Sequence, residues 1–241
     1  MVVSTVPTES SVPYRQKPGG LNSHGRILRF LDQLPRDVSI LDLGIATGYL
    51  GQTLRRLGFQ SVHGIEANAE WAAHARPFYE SVAVCDLERD PLPWDRGAFE
   101  VIICADVLEH LREPQAALQK LKSLLAPRGW LIVSLPNIAH WTIRLSLLLG
   151  RFRYTANGIL DAGHLRFFTR ATARTLLQEA GLTIRQEAAT PLPIAHWCTN
   201  GSLWSPLWRA VERVDWGLGC LRPTLFAYQF VFITQHDGQR P

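Results

Sequence analysis

Cysteine is scarce in this sequence, and several other features of specialised protein classes are missing. The four cysteines lie far apart and form no CxxC pair, which favours a reducing compartment over a disulfide framework. No apolar run reaches the roughly 18 residues of a membrane span, and no basic run is long enough to indicate a nucleic-acid-binding arm. The first 20 residues lack a basic segment followed by an apolar one, so we expect no signal peptide.

These absences favour a cytoplasmic protein that acts on a small molecule, as a monomer or homodimer, without nucleic acid; contact with a membrane surface is the less favoured alternative. Hydrophobic residues make up 46% and charged residues 19% of the 241 positions, which is typical of a globular chain with one substantial core. The formal charge of +4 and the pI near 9.1 are only mildly basic. We interpret this charge as favouring solubility, and it is compatible with an anionic substrate.

Short apolar strands alternate with helical patterns from Ser39 onward, which predicts an α/β fold. The helices are expected at 48–57, 68–76 and 114–125. The first five strands are predicted at SILDLG, SVHGIEA, SVAVCDL, FEVIICAD and GWLIVSLPN. Near-continuous apolar strands separated by helices are typical of a parallel sheet covered on both faces. With two more strands from LTIRQEAA and LFAYQFVFITQ, we expect a doubly wound, Rossmann-like, seven-stranded sheet, mostly parallel, with an antiparallel last strand.

The composition of the chain also predicts its domain organisation. Residues 1–20 are rich in Ser, Pro, Thr and Gly and are expected to form a flexible arm. Residues 21–241 are expected to form a single domain. Within this domain, 138–168 is too long for a simple connection and is a candidate lid or substrate segment, and 190–223 is a helical insertion.

A glycine turn follows the first strand and opens a helix, in the pattern Gly44-Ile45-Ala46-Thr47-Gly48. A P-loop is excluded because no Gly-Lys-Ser/Thr follows. A dinucleotide fold would have G-x-G-x-x-G, whereas Ala46 occupies the middle position here. By itself the turn leaves open whether it binds a ligand or is simply tight.

Three acidic residues at the ends of successive strands narrow the choice of ligand. Glu66, Asp86 and Asp106 are spaced 20 residues apart (86 − 66 and 106 − 86), and each follows a predicted strand. Such residues meet at the ligand-binding edge of a parallel sheet. Three carboxylates would repel a pyrophosphate, but they suit a cationic nucleoside such as S-adenosylmethionine, with Glu66 accepting hydrogen bonds from the ribose hydroxyls.

The same stretches resemble, in order, the motifs of class I S-adenosylmethionine-dependent methyltransferases. They read ILDLGIATGYLG, VHGIEAN, VCDLE, FEVIICADVLEHL and LAPRGWLIVSLPN. The continuation from HWTIRLSLLLG to LLQEAGL is similar to a bacterial branch related to ubiquinone-biosynthesis and type 11/23 methyltransferases, members of which are associated with cell-surface glycan or secondary-metabolite biosynthesis. The resemblance covers about residues 24–190.

The resemblance implies a set of residues that hold S-adenosylmethionine. They are Gly44, Ala46, Gly48, Glu66, Asp86, Leu87, Ala105 and Asp106. In this family the acid after the third strand meets the adenine amino group, and the next residue flanks the ring. Ala46 departs from the usual G-x-G-x-G, because it adds one methyl group where the backbone approaches the methionine part of the cofactor.

Two histidines are candidates for the chemical step. His164, in LDAGHLRFFT, is the first candidate for a general base, because an imidazole accepts a proton near neutral pH. The alternative is that it packs or caps a loop. His110 lies four residues after Asp106 and is the second candidate, with a structural role beside the cofactor as the alternative. Asp106, Glu109 and His110 could bind a divalent metal, but without a second ligand cluster we expect none.

The stretch HWTIRLSLLLGRFRY admits two interpretations. It is either an amphipathic surface for a lipid-linked or polyprenyl substrate, with its arginines near phosphates, or a cover in which Leu145, Leu148 and Leu149 close the active site. We favour the cover. The sequence thus predicts methyl transfer to a small-molecule hydroxyl, on a sugar, glycan precursor, quinone or secondary metabolite. The alternatives are N- or C-methylation, a non-catalytic S-adenosylmethionine-binding module, or an NAD-dependent oxidoreductase.

Overall fold

A computed structural model describes residues 20–193 and 205–236, and its centre is a sheet of seven strands. The strands β1 to β7 span Ile40–Leu43, Val62–Glu66, Ser81–Val84, Phe99–Ala105, Leu125–Pro136, Leu182–Thr190 and Gln229–His236. Their spatial order is β3-β2-β1-β4-β5-β7-β6. The arm predicted at 1–20 lies outside the described residues except for its last position.

Strand direction follows the predicted pattern. β1 to β5 pair in parallel, while β7 lies antiparallel between β5 and β6. Because the strand order reverses at β1 and β4, a crevice opens beyond the carboxyl ends of these two strands. The predicted fold class is therefore confirmed, including the antiparallel last strand.

The helices α1 to α8 cover both faces of the sheet. They span Ser23–Leu31, Tyr49–Arg56, Ala69–Ala75, Pro114–Leu124, Trp141–Leu148, Arg170–Glu179, Ser205–Leu221 and Pro223–Phe226. Local sequence sets several of their ends: Asn68 accepts from the amides of Glu70 and Trp71 to cap α3, and Thr169 forms a capping box with Thr172 at α6. No helix of the described residues is long and apolar enough to cross a membrane.

Two apolar clusters hold these layers together, one on each face. Alternate residues of β4 divide between them: Ile102 packs with α4 and α6, whereas Ile103 packs with α1 and α2. Both are fully buried, as expected for a central parallel strand. This double coverage leaves the strand ends as the place where polar groups can converge.

The segment between β5 and α6 is α5 followed by an irregular stretch. It is anchored at its ends by a bridge between Asn137 and Phe168. Every residue of α5 is at least partly exposed, with Leu145 at 48% and Leu148 at 82% exposure, and Leu149 just beyond is at 60%. The expectation that these three leucines cover the active site is therefore wrong. A helical apolar stripe defines one face of a helix, but it does not show whether another part of the same chain packs against that face.

Candidate active site

A cavity opens at the carboxyl ends of β1, β2 and β4, where the topology predicts a ligand. Its lining consists of His24, Asp42, Leu43, Gly44, Ile45, Ala46, Thr47, Tyr49, Leu50, Glu66, Trp71, Ala105, Asp106, Val107, His110 and Leu111. Six of the cofactor-binding residues implied by the sequence resemblance lie in the glycine turn or at the ends of β2 and β4. Five of these six line the cavity: Gly44, Ala46, Glu66, Ala105 and Asp106.

The glycine turn is held in place by Glu66 at the end of β2. The carboxylate accepts the Ala46 amide at 2.9 Å through Oε2 and the Asn68 amide at 3.0 Å through Oε1. Ala46 has φ +47°, a conformation unusual for a residue with a side chain, so this hydrogen bond stabilises a strained backbone. A carboxylate has about four lone-pair positions, and Glu66 therefore keeps capacity for hydroxyl groups of a ligand.

Gly44 is required at the start of this turn. Its φ is +64°, and a Cβ atom there would lie 3.0 Å from Cγ2 of Val107. Gly48 also has a positive φ, and a Cβ there would approach Phe78 at 2.8 Å. The glycines therefore let the backbone pass close to neighbouring elements.

A buried network that sequence reasoning missed lies beneath the turn. The Tyr79 hydroxyl donates to Oδ2 of Asp42 at 2.7 Å and accepts the Gly51 amide at 3.0 Å. A Cβ atom on Gly51 would lie 2.3 Å from Cζ of Tyr79, so this glycine is required by the ring. The signal for Asp42 was present: it is a carboxyl group within the otherwise apolar strand SILDLG.

Asp42 is only 3% exposed, and this burial has an electrostatic consequence. Burial raises the pKa of the Asp42 carboxyl to about 7, and the hydrogen bond from Tyr79 opposes the rise. The nearby Glu66 carboxylate raises this pKa further. A positively charged ligand in the cavity would favour the ionised form of Asp42.

Asp106, at the end of β4, also lines the cavity, and its backbone has φ +56°. Its Oδ1 accepts from the Ser134 hydroxyl and from Nε2 of Gln229 at 3.0 Å. These partners belong to β5 and β7, so strands remote in sequence fix this carboxylate. These two bonds hold Oδ1 of Asp106 against the sheet, while the residue still lines the cavity together with His110.

The third acidic residue of the predicted series lies elsewhere. Within the described part of the chain, neither Asp86 nor Leu87 belongs to the cavity lining. Asp86 accepts the Glu88 amide at 2.8 Å and so stabilises its own turn. Their contact with an adenine ring remains a prediction.

Three carboxyl groups nevertheless line the cavity, because Asp42 joins Glu66 and Asp106. The lining, as far as the structure describes it, contains no Lys or Arg. Such a wall disfavours phosphate-bearing ligands and favours cationic ones. S-adenosylmethionine fits it, with hydroxyl groups for Glu66 and positive charge toward the carboxylates, whereas the pyrophosphate of NAD does not.

His110 and His164 lie together at one end of this cavity. Their ring centroids are 4.8 Å apart at an interplanar angle of 70°. Nδ1 of His110 lies 3.0 Å from the Gly163 carbonyl, and Nδ1 of His164 lies 3.1 Å from the Ile159 carbonyl. His110 lines the cavity, and His164, which is 9% exposed, reaches it through this contact.

Glu109 joins the two histidines, and we call these three residues the Glu–His–His cluster. Each offers a ligand atom, and these atoms lie within 4.8 Å of one another. Burial, and then the neighbouring His110, lowers the pKa of His164, which keeps its imidazole neutral near pH 7. The sequence identified each of these residues, but it did not reveal that His164 converges with Glu109 and His110.

Comparisons with known proteins agree with this description. A family model described as a methyltransferase domain matches residues 21–187. A ubiquinone biosynthesis O-methyltransferase of Glaesserella parasuis serovar 5 (strain SH0165) is 31% identical over 107 residues, which cover 41% of this chain and 45% of that protein. The chain thus spans less than half of the length of that curated relative.

Solved structures share the fold across most of the chain. A SAM-dependent methyltransferase from Aquifex aeolicus has a TM-score of 0.57 at 14% identity and covers 90% of this chain and 91% of its own. Magnesium protoporphyrin IX methyltransferase from Synechocystis PCC 6803, solved with bound S-adenosylhomocysteine, has a TM-score of 0.58 at 19% identity, with coverages of 89% and 82%. At these identities the likeness concerns the fold alone.

Proposed function

Since the chain belongs to the methyltransferase-domain family of the class I S-adenosylmethionine-dependent methyltransferases, we propose that it transfers a methyl group from S-adenosylmethionine to a hydroxyl of a small molecule. One observation carries the proposal: a cavity with three carboxyl groups at one wall leads to a Glu–His–His cluster at its end. The first feature suits the methyl donor, and the second suits a hydroxyl that must lose its proton.

The proposed donor would be held by the glycine turn and by Glu66. S-adenosylmethionine supplies a methyl group on a positively charged sulfur. The backbone of Gly44 to Gly48 lies beneath its methionine part, and the Glu66 carboxylate accepts from the ribose hydroxyls. Asp42 and Asp106 provide negative charge near the sulfonium and ammonium groups.

The Glu–His–His cluster would activate the acceptor. An oxygen lone pair of the acceptor forms the new C–O bond while the C–S bond breaks toward sulfur, and the hydroxyl proton passes to the neutral imidazole of His164. Positioning contributes much of the acceleration in such a displacement, and removal of the proton contributes the rest. The Glaesserella parasuis relative is an O-methyltransferase by name, which supports oxygen over nitrogen or carbon as the acceptor atom.

We further propose that the acceptor carries an apolar part. α5 begins five residues after β5 ends at Pro136, and it exposes Leu145 and Leu148. From Pro114 to Leu160 the sequence holds no acidic residue; Arg144 precedes these leucines, and Arg151 and Arg153 follow them. An exposed apolar helix flanked by arginines suits a lipid-linked or polyprenyl acceptor with anionic groups.

The protein would act in the cytoplasm. Cys85, Cys104 and Cys220 are free thiols in the structure, as expected in a reducing compartment.

Two measurements test the proposed function. Calorimetry should show one molecule of S-adenosylhomocysteine bound per chain. A screen of hydroxyl-bearing acceptors, with and without apolar tails, should then yield S-adenosylhomocysteine and a product heavier by one methylene. Cofactor binding with no acceptor from any class would favour a non-catalytic binding module, and products methylated at nitrogen or carbon would contradict the hydroxyl assignment.

A further inference from the structure

The helix α7 exposes a stripe of apolar side chains that plays no part in the proposed methyl transfer. Its five members are between 38% and 77% exposed: Leu207, Val211, Val214, Leu218 and Leu221. Contiguous apolar surface of this kind marks a place where a protein meets a partner. We call these five residues the α7 seam.

The spacing of the α7 seam is that of one helix in a coiled coil. Leu207, Val214 and Leu221 follow one another at intervals of seven residues, and Val211 and Leu218 fall between them. This is the a/d repeat with which one α-helix packs its side chains against another. The seam is about 21 Å long at 1.5 Å per residue, so it offers two full heptads to a second helix.

The width of the seam favours a helix over a lipid surface. A helix that lies in a membrane interface presents a broad apolar face, whereas a seam of a and d positions alone is narrower. The positions beside the seam on one side are Ala210 and Gly217. These small residues add little apolar area, but they allow the backbone of a second helix to approach closely.

Contacts with the rest of the protein fix which side of α7 faces outward. Oδ2 of Asp215 accepts the Leu192 amide at 2.8 Å, and the guanidinium carbon of Arg26 lies 5.0 Å from the centre of the Trp216 ring. A Cβ atom on the buried Gly219 would lie 3.6 Å from a side-chain carbon of β6. Because these contacts occupy another side of the helix, the seam is left toward solvent.

The exposed charges around the seam have one sign. Arg209 and Arg213 of α7 are exposed, as is Arg222 just beyond its end. The two acidic residues of the helix, Glu212 and Asp215, are half-buried, and their spacing of three places them together on the inward side. The outward surface is thus apolar with a cationic rim, which is complementary to an apolar stripe bordered by carboxylates.

Charge also argues against a second copy of this chain as the occupant. In an antiparallel pair of α7 helices centred on Val214, the two Arg213 side chains would lie about 3 Å apart along the helix axis. In a parallel pair, each arginine would lie beside its own equivalent. Both arrangements bring like charges together, which disfavours self-pairing.

The parts of this chain outside the described residues do not supply the missing negative charge. Residues 1–19 contain one acidic residue against two basic ones, residues 194–204 contain no acidic residue, and residues 237–241 contain one of each sign. An occupant with carboxylates along both sides of an apolar stripe therefore has to come from another protein.

From this spacing and charge we propose that α7 is the docking site for an acidic amphipathic helix of another protein. The apolar residues of that helix pack into the seam, and its carboxylates face the three arginines. The segment after α7 contacts the proposed acceptor segment, since the Thr224 carbonyl accepts from Nδ2 of Asn137 at 3.1 Å. The inference does not depend on the proposed function, because no seam residue lines the cavity.

The test uses the full chain and a synthetic helical peptide of about four heptads, with Ile at a, Leu at d and Glu at e and g. A matched peptide carries Lys in place of each Glu. Fluorescence anisotropy of the labelled peptides should show that the Glu peptide binds with a Kd of about 10 µM, and that the Lys peptide binds at least about 10-fold more weakly.

Substitutions then locate the bound peptide on α7. Val214→Asp should weaken binding of the Glu peptide about 30-fold, because it places an unpaired charge in the seam. Leu57→Asp makes the same kind of change at a leucine just after α2 that is 39% exposed, and this variant should bind like wild type.

A charge reversal keeps the test decisive if Val214→Asp folds poorly. The double variant Arg209→Glu, Arg213→Glu alters only exposed side chains. It should reverse the preference, so that the Lys peptide binds about 10-fold more tightly than the Glu peptide.

Several results would overturn the inference. Equal affinity of the wild type for both peptides would do so, as would binding of neither. Sedimentation of the wild-type chain as a dimer that Val214→Asp dissociates would assign the seam to a second copy instead. Binding to phosphatidylglycerol vesicles that Val214→Asp abolishes would assign it to a lipid surface instead. S-adenosylhomocysteine binding, measured separately, decides the proposed function.

Discussion

The two ends of the cavity are built in opposite ways. At the cofactor end, formed by the glycine turn and the ends of β1 and β2, the polar groups are buried and paired: Asp42 is 3% and Glu66 is 7% exposed, and each accepts short hydrogen bonds. At the proposed acceptor end, residues 137–168 lie outside the cavity lining, and a helix there exposes its leucines, with Leu148 at 82%. One end is a finished site, and the other is an open surface.

This difference teaches which part of the molecule serves a common ligand and which serves a particular one. In the proposed function, a nucleoside shared by many enzymes binds at a strained turn and a strand-end carboxylate, which a buried tyrosine and the sheet hold in place. The proposed acceptor binds at a long segment inserted between β5 and α6, and loop variation of this kind adapts a common fold to different chemistry. Substitutions at the cofactor end should accordingly change the stability of the fold and the affinity for the cofactor, whereas substitutions at the acceptor end should change kcat/KM for the acceptor.

The largest expected effect is a loss of folding stability caused by a substitution at the cofactor end. In Gly51→Ala the new Cβ would lie 2.3 Å from the buried Tyr79 ring and would break the hydrogen bond to its hydroxyl. We expect the free energy of unfolding to fall by about 3 kcal/mol, as in overpacked cores. Denaturant unfolding measures it, with Gly217→Ala in α7 as control. Nothing lies within 4 Å of the Cβ there, so that change should stabilise the helix by up to about 1 kcal/mol.

A second test uses pH to probe the buried carboxyl. Because the folded pKa of Asp42 is raised from 3.8 to about 7, its contribution to stability is complete below pH 3.8 and is lost as pH rises toward 7. Between pH 5 and pH 7 this loss amounts to about 2 kcal/mol, because the slope of about 1.4 kcal/mol per pH unit decreases as the pH reaches the folded pKa. Asp42→Asn should abolish that part of the pH dependence. Equal slopes in urea unfolding of both proteins would contradict the assignment.

Cofactor affinity should respond most to Glu66. Glu66→Gln keeps one oxygen for the Ala46 amide but loses the charge and the second acceptor. We expect S-adenosylhomocysteine to bind about 30-fold more weakly, which corresponds to about 2 kcal/mol for hydrogen bonds to a charged group. Glu70→Gln, at an exposed position of α3, is the matched control in calorimetry and should bind like wild type.

The smallest effect is expected on the open surface, and it should be selective. Leu148→Ser should leave S-adenosylhomocysteine binding and unfolding unchanged, because the side chain is 82% exposed. It should lower kcat/KM about three-fold to ten-fold for an acceptor with an apolar tail, since about 1 kcal/mol of apolar contact is lost. The same acceptor without its tail should show no change. An equal decrease for both acceptors would show that α5 does not contact the tail.

The contrast between the two ends also explains what the sequence could predict. Gly44, Glu66 and Asp106 were identifiable because a ligand at strand ends requires fixed residue types at regular spacing. Asp42 was missed because its partner, Tyr79, comes from a distant turn after α3. Asp86 shares the spacing of the other acids but lies outside the cavity lining, so its contact with the adenine stays a prediction.

At the acceptor end, sequence reasoning identified residues but not their arrangement. His110 and His164 are 54 positions apart in the chain (164 − 110), and only the path of the intervening segment brings them into contact. That path depends on tertiary bonds such as those of the Glu109 carbonyl. The leucines of α5 were misplaced for a related reason, because helical periodicity defines a face without showing what contacts it.

The central claim is that the acidic strand ends form a site for a cationic sulfur nucleoside. Calorimetry of the wild-type chain with S-adenosylhomocysteine and, separately, with NAD tests it most directly. The account predicts one S-adenosylhomocysteine per chain and no binding of NAD. Uptake of NAD without S-adenosylhomocysteine would contradict it.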